Sequence, residues 1–131
     1  MDFKFLSAKA KEFGVRIHIF NKKLFSNIAN NMADDENILL MIKGHDIKTS
    51  YKYPVVITDK KVYISKYKSL YGALRTWVIP MENITNIFRG RVIFFYTVVI
   101  SFNGDAALIS RLSKKKADKI INLINDLRGK R

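Results

Sequence analysis

The sequence contains no cysteine and only two prolines and two histidines among its 131 residues. The lack of cysteine excludes a disulfide framework and any thiolate metal site, and it is compatible with a reducing cytoplasm. No stretch reaches the roughly 20 apolar residues that a membrane-spanning helix needs. The N-terminal segment has no apolar signal-peptide region, because Lys4, Lys9, Lys11 and Glu12 interrupt it. We therefore expect a cytoplasmic location, which peripheral attachment to a membrane would still allow.

Residues suited to catalysis are also scarce. His18 and His45 are the only histidines, one in the N-terminal region and the other in a polar turn. The sequence has no glycine-rich phosphate loop and no zinc-ligand spacing, and Asp34-Asp35-Glu36 is typical of a turn between a helix and a strand. We therefore expect a non-enzymatic protein without a cofactor.

Positive charge is the most unusual property that the sequence does have. Lys and Arg number 24 against 11 acidic residues, a net charge of +13 that is spread over the chain. Such a field favours anionic partners, namely phospholipid surfaces, acidic proteins or nucleic acid. A purely compositional origin, in a chain rich in Lys, Ile and Asn, remains open as the alternative.

Two helices are predicted before residue 34. Helical spacing of Phe3, Leu6, Ala10 and Phe13 predicts the first over residues 3–13. The second, over residues 22–33, carries the apolar stripe Leu24, Phe25, Ile28 and Met32. Asn21 is its expected N-cap, and Phe20 and Phe25 stand at the positions of a hydrophobic staple. Residues 15–19, between the two helices, fit either a short strand or a linker.

From residue 36 onward the pattern changes to short strands separated by turn residues. The predicted strands are Glu36–Lys43, Tyr51–Thr58, Lys61–Tyr67, Ala73–Ile79, Ile84–Phe88, Val92–Phe102 and Asp105–Leu112. Asn103-Gly104 is the strongest turn signal, because a type I′ hairpin requires positive φ at both central residues. Arg89-Gly90 predicts a turn between the fifth and sixth strands.

A final helix is predicted over residues 113–128, with Ser113 as its N-cap and Gly129 just beyond its end. Its apolar stripe consists of Ala117, Ile120, Ile121, Ile124 and Leu127. Antiparallel strands hide their edges by closing into a barrel or sandwich, and this helix is placed to plug one open end. The predicted fold class is mainly β with helices: a seven-stranded antiparallel barrel or sandwich capped by a C-terminal helix and preceded by one or two N-terminal helices.

The sixth predicted strand is apolar on both faces, since Ile93, Phe95 and Val99 alternate with other apolar residues. A strand with one solvated face normally alternates with polar residues. We therefore expect its outer face to be covered, either by the N-terminal helices or by another subunit.

Three stretches resemble the bacterial pleckstrin-homology-like (PH-like) domains. The segment from Val55 to Ile64 looks like the hairpin between their second and third strands, with Lys61 where an Arg is common. The segment Ile79–Ile87 looks like their fourth-to-fifth strand crossing, and the helix from Ser113 looks like their closing helix. The resemblance covers about residues 36–128. We accordingly divide the chain into an N-terminal helical extension (1–33) and a PH-like domain (34–131).

The resemblance also implies a binding site. In family members that bind phosphorylated headgroups, basic residues cluster in the first-to-second and third-to-fourth strand loops. The matching residues here are Lys43, Lys48, Lys52, Lys66, Lys68 and Arg75. Lys is a point charge without bidentate geometry, so the set suits an anionic surface better than one stereospecific phosphate. The alternative is a solvated, charged pair of loops.

A further basic run, Lys114-Lys115-Lys116, opens the final helix. Positive charge there opposes the helix dipole, so the run favours an anion-binding role that assists the basic loops. A solvated face in a Lys-rich protein is the alternative.

We thus expect a binding module that docks on an anionic membrane surface or an acidic protein. One alternative is a self-assembly or protein-interaction module, a homo-oligomer included, that uses the N-terminal helices and the sixth strand. The other is nucleic-acid binding, because aromatic rings alternate with lysines. The rings concerned are Tyr51, Tyr53, Tyr63, Tyr67, Tyr71 and Trp77.

Overall fold

The computed structural model of the chain describes residues 1–49, 51–68 and 72–129. Its helices are α1 (Phe3–Glu12), α2 (Lys22–Asn31) and α3 (Lys114–Gly129). Its strands are β1 (Ile38–His45), β2 (Lys52–Thr58), β3 (Lys61–Tyr67), β4 (Leu74–Pro80), β5 (Ile84–Val92), β6 (Phe95–Phe102) and β7 (Asp105–Leu112). A single 3-10 turn, Met81–Asn83, joins β4 to β5. The predicted element order is confirmed. In the described part of the chain, no helix is long and apolar enough to span a membrane.

The strands form two antiparallel sheets, β1-β2-β3-β4 and β5-β6-β7, with the main core between them. Alternation along β2 and β3 sends Val55, Ile57 and Val62 into this core. Helix α3 completes it from one end through Ala117, Ile120 and Ile124. The predicted cap is therefore confirmed. Its N-cap is confirmed as well, because the Lys116 N–H donates to Ser113 Oγ at 3.2 Å.

The N-terminal helices lie on the outer face of the first sheet and form a second apolar cluster there. The cluster joins Leu6, Ala10, Phe25, Ile28, Ala29 and Met32 of the helices to Met41, Val56 and Tyr63 of the sheet. The expectation that these helices cover the sixth strand is therefore wrong. Phe95 and Leu108 on the outer face of the second sheet remain exposed. Coverage of that face by another subunit stays a prediction.

The predicted turn at Arg89-Gly90 is also wrong. Strand β5 continues to Val92, Gly90 pairs with Thr97, and the turn lies at Ile93-Phe94. The longer hairpin gains further backbone pairs, and its turn places Ile93 at φ 55°. The turn at Asn103-Gly104 is confirmed, with φ of 48° and 76° at its two central residues.

The connection between α1 and α2 is irregular and is held by the buried side chain of Asn21. Asn21 Oδ1 accepts the His18 N–H at 2.8 Å, and its amide donates to the Arg16 carbonyl at 3.1 Å. Asn21 stands at the N-cap position of α2 but makes no side-chain capping hydrogen bond, so that part of the prediction is wrong. The predicted staple is wrong too, because Phe20 is 76% exposed.

Glu36 fixes the junction between the helices and the first sheet. Its buried carboxylate accepts hydrogen bonds from Tyr63 OH at 2.6 Å, Thr58 Oγ1 at 2.7 Å and the Ala33 N–H at 2.7 Å. Burial, and then the hydrogen bond and charge of Glu36, raise the pKa of Tyr63. Because Glu36 turns inward to make these contacts, β1 begins two residues later than predicted, at Ile38.

Candidate binding surface at the mouth of the first sheet

Antiparallel pairing gathers the end of β1, the start of β2, the end of β3 and the start of β4 at one end of the first sheet. We call this end the mouth. In the register, Lys43 faces Pro54, and Lys66 faces Arg75. The mouth therefore collects six of the predicted site residues: Lys43, Lys48, Lys52, Lys66, Lys68 and Arg75.

Lys66 and Arg75 occupy the inner face of the mouth, above a floor of aromatic rings. The Lys66 ammonium lies 5.2 Å from the centroids of both Tyr53 and Trp77. The Arg75 guanidinium lies 4.3 Å from the Trp77 centroid. Two cations directly opposite each other on neighbouring strands repel, and the ring faces offset part of that cost. The pair thus holds concentrated positive charge on a rigid base.

Tyr53 makes that base rigid. Its OH donates to the Leu108 carbonyl at 3.2 Å and accepts the Ser110 N–H at 2.9 Å, which ties the mouth to β7. Burial raises the pKa of Tyr53 to about 12, so its ring is a neutral phenol at physiological pH. On the far side, Arg75 Nη2 lies 3.5 Å from Asp105 Oδ2, which positions the start of β7 beside β4.

Lys43 and Lys52 lie on the outer face of the same end. Lys43 lies on the same face of β1 as Met41, and Lys52 lies on the same face of β2 as Val56. Met41 and Val56 both contact the N-terminal helices. Burial, followed by the charges of Lys52 and Arg16, lowers the pKa of Lys43. Arg16 therefore belongs to the basic set, although its position in the irregular connection gave no sequence signal for this.

Exposed apolar side chains stand among these cations. Ile47 in the β1–β2 loop is 60% exposed, and Ile19 and Phe20 are 84% and 76% exposed. The connection that carries Phe20 is held at the mouth, because Tyr67 OH donates to the Phe20 carbonyl at 3.2 Å. Tyr67 in turn packs edge-on against Tyr51, with centroids 6.3 Å apart. The apolar residues thus share the end of the sheet that bears the lysines.

The remaining two of the six predicted site residues lie in the loops of the mouth. Lys48 and Lys68 are exposed, and their backbones are held by the Lys48 N–H to Asp46 Oδ1 bond at 2.9 Å and the Lys68 N–H to Ala73 carbonyl bond at 2.7 Å. Ser50 and residues 69–71 of these loops, Tyr71 included, lie outside the described residues.

The structure does not bring Lys114, Lys115 and Lys116 to the inner face of the mouth. They follow Leu112, which ends β7 and pairs with Tyr96 beside the β5–β6 turn. At roughly 3.4 Å per residue, that end of β7 lies on the order of 20 Å from Asp105. The run is exposed and adjoins a different surface.

The rings of the set that lie among the described residues do not form an open stacking surface. Tyr53 and Tyr63 are fully buried, and Tyr51 and Tyr67 pack on each other. Nucleic-acid binding by stacked bases therefore finds little support among the described rings.

A family model described as Bacterial PH domain matches residues 32–126. The chain belongs to this family. PH-like domains are generally non-catalytic binding modules. The matched range holds the strands of the mouth and most of α3, and it leaves α1 and α2 entirely outside. No curated protein matches the sequence.

Solved structures share the fold of this PH domain at low identity. A DUF1696 family protein with a pleckstrin-homology domain from Shewanella loihica PV-4 has a TM-score of 0.56 at 15% identity, covering 86% of this chain and 94% of its own. The pleckstrin homology domain from Shewanella amazonensis SB2B has a TM-score of 0.57 at 13% identity, with coverages of 81% and 96%. The hSac2 domain of human phosphoinositide phosphatase Sac2 has a TM-score of 0.55 at 11% identity, with coverages of 87% and 85%.

Proposed function

We propose that this chain is a non-catalytic PH-like module that docks on an anionic membrane surface through its mouth. The observation that carries the proposal is the pairing of Lys66 and Arg75 above Tyr53 and Trp77, surrounded by further cations. The partner is a phospholipid surface rather than one stereospecific phosphate, because lysines dominate the set.

Electrostatics supports the proposal in two ways. The chain carries +13, so long-range attraction favours an anionic surface over a neutral one. At the mouth, burial and then repulsion from the charges of Lys52 and Arg16 lower the pKa of Lys43. A negatively charged surface relieves this repulsion, so docking stabilises the charged form of Lys43.

The exposed apolar residues at the mouth support a membrane in particular. Ile19, Phe20 and Ile47 expose most of their surface to water beside the cations. Apolar side chains flanked by lysines are typical of proteins that lie in the membrane interface, where the lysines meet phosphates and the apolar groups leave water. An acidic protein partner would neutralise the lysines, but its charge alone would not remove these apolar side chains from water.

Co-sedimentation with vesicles tests the proposal. Wild-type protein is expected to bind vesicles that contain phosphatidylglycerol and not to bind vesicles of phosphatidylcholine alone. The binding should weaken as the salt concentration rises. The variant carries Lys48→Glu, Lys66→Glu and Lys68→Glu. At about 1 kcal/mol per basic residue near the surface, it should bind at least about 100-fold more weakly.

The matched control reverses three exposed lysines that are not among the predicted site residues, Lys4, Lys11 and Lys119, and changes the net charge equally. It should retain most of the binding, and both variants should melt close to the wild type. An equal loss of vesicle binding in the two variants would show that binding depends only on net charge, and it would overturn the role of the mouth. Equal binding to neutral and anionic vesicles would overturn the electrostatic mechanism.

Self-assembly remains a second candidate because of one observation. Phe88, Val99 and Leu108 form a cross-strand row on the outer face of the second sheet, and Phe88 and Leu108 are exposed. Light scattering distinguishes this candidate, since a stable oligomer at micromolar concentration would favour it and a monomer would exclude it.

A further inference from the structure

The β5–β6 hairpin ends in four consecutive apolar residues that are turned toward water. Val92, Ile93, Phe94 and Phe95 are 58%, 73%, 82% and 48% exposed. We call these residues the tip. A domain of this size normally buries phenylalanines or scatters them singly on its surface. Four adjacent exposed apolar side chains on a projecting turn therefore require a partner that removes them from water.

Arginines surround the base of the tip. Arg91 Nε donates to the Ile93 carbonyl at 3.0 Å, and the Arg111 guanidinium lies 6.0 Å from the centroid of the Phe95 ring. Arg89 is paired with Asp118. Among the described residues, neither Arg91 nor Arg111 has an ion pair with a carboxylate. The base of the tip therefore presents two uncompensated guanidinium groups.

The backbone at the tip is held in costly conformations. Ile93 and Arg111 both have φ of 55°, and Asn103 is the only other described non-glycine residue with positive φ. A β-branched residue is rare in that region. Arg111 lies where the β6–β7 register shifts, so a bulge turns its side chain toward Phe95. Conformational strain of this kind concentrates at functional sites. Here Ile93 lies within the tip and Arg111 lies at its base.

The tip and the mouth border the same strand. The middle of β7 is bonded to Tyr53 through Leu108 and Ser110. Leu112, two residues further on, pairs with Tyr96 next to the tip. At about 3.4 Å per residue along β7, the base of the tip lies on the order of 10 Å from the Tyr53 contact and on the order of 20 Å from Asp105, which contacts Arg75. Lys114–Lys116 begin two residues after Leu112 and add positive charge near the tip.

We propose that the tip inserts into the interface of an anionic bilayer while Arg91 and Arg111 bind lipid phosphates at its base. The inference deepens the proposed function and rests on it, since the mouth supplies the first electrostatic contact. Guanidinium groups bind phosphates bidentately, which suits a fixed contact at the depth of the headgroups.

The charge at the tip favours a bilayer over a second copy of the chain. In a symmetric dimer the tips would bring Arg91 and Arg111 against their own copies, and like charges in an interface are repulsive. The convex shape of a hairpin turn also suits penetration to a depth of about 5–10 Å, as interfacial anchors do.

A fluorophore at the tip tests insertion directly. The chain has no cysteine, so Phe94→Cys accepts a single environment-sensitive label. On phosphatidylglycerol vesicles this label should shift to the blue and be quenched by lipids brominated along the acyl chain. Leu39 is exposed near the start of β1, at the end of that strand opposite the mouth. A label on Leu39→Cys should show neither the blue shift nor the quenching. A label at position 94 that stays water-like on bound vesicles would overturn the inference.

Ile93→Asn supplies a second readout that a purely structural role would not produce. Asn tolerates positive φ better than Ile, so the variant should melt at a higher temperature than the wild type. The same change removes an inserting side chain and should weaken vesicle binding about tenfold. Raised stability with unchanged binding would overturn the inference. Arg91→Gln and Arg111→Gln should each cost about fivefold in binding.

The two proposals fail in different ways. If the wild type binds anionic vesicles and the label at position 94 stays in water, the tip is wrong and the mouth stands. If the label inserts but the mouth variant binds normally, docking through the mouth is wrong, and only insertion of the tip is retained, without the mouth as its first contact. No binding of the wild type to anionic vesicles at low salt contradicts both.

Discussion

Replacing Glu36 should test how the N-terminal helices are held on the first sheet. In Glu36→Ala, Thr58 Oγ1 can still donate to the Lys61 carbonyl, which lies 3.3 Å away. Tyr63 OH and the Ala33 N–H lose their acceptor. The buried Tyr63 OH left without an acceptor costs about 1–3 kcal/mol, and the part-buried Ala33 N–H costs less because water can reach it. We therefore expect the free energy of unfolding to fall by about 2–4 kcal/mol, a large fraction of the stability of a domain this size.

Urea unfolding followed by circular dichroism measures this loss. A double-mutant cycle of Glu36→Ala with Tyr63→Phe should give a coupling energy of about 1.5–3 kcal/mol, the range for a hydrogen bond to a charged group. The control is Asp35→Ala, which breaks only the exposed ion pair with Lys60 and should cost less than about 1 kcal/mol. Equal, small losses at Glu36 and Asp35 would refute the reasoning.

Three further predictions concern the rest of the fold. The folded-state pKa of Tyr53 is raised to about 12, so its stabilising effect is complete below about pH 10 and disappears as pH rises toward 12. The free energy of unfolding should fall by about 2–3 kcal/mol over this pH range. In Tyr53→Phe, urea denaturation measured at increasing pH should show a smaller fall. A Cβ on Gly44 would overlap the Tyr53 ring, so Gly44→Ala should destabilise by about 1–3 kcal/mol and alter the near-ultraviolet spectrum. Ser113→Ala removes the cap of α3 and should lower the free energy of unfolding by about 1 kcal/mol in urea titrations.

Local signals predicted much of the β-rich part of the chain. Strands β3 and β7 have the predicted bounds, Lys61–Tyr67 and Asp105–Leu112. Both strands begin directly after a two-residue polar turn, and alternation within them is clear. The cap at Ser113 and the turn at Asn103-Gly104 were equally local, since each depends on a few adjacent side chains and their backbone preferences.

The misplaced β5–β6 turn shows where local signals mislead. Gly90 is the residue type expected in a turn, yet it lies within a strand opposite Thr97. The actual turn contains Ile93 and Phe94, residues with no turn preference. Pairing along the whole hairpin outweighs the local cost at Ile93, and that energy depends on partners that spacing alone does not identify.

The candidate site was only partly predicted, because some of its contacts also depend on tertiary structure. The basic loops were predicted from the family resemblance, but the ring contacts of Lys66 and Arg75 depend on strand parity and register. The roles proposed for Arg16 and Phe20 needed tertiary structure, because the Tyr67 hydrogen bond that brings the connection between α1 and α2 to the mouth joins residues far apart in sequence. Glu36 was predicted to end an acidic turn and to begin the first strand, and its burial was not predicted, since an acidic run gives no sign of which member is buried.

Spin labels on membrane-bound protein test the orientation of the mouth most directly. A nitroxide on Ile47→Cys reports on the mouth, and one on Leu39→Cys reports on the opposite end of the same strand. On phosphatidylglycerol vesicles, we predict that the label at position 47 becomes accessible to oxygen and protected from an aqueous nickel reagent, while the label at position 39 stays in water. A label at position 47 that remains open to the nickel reagent on bound protein, or a label at position 39 that becomes protected, would contradict docking through the mouth.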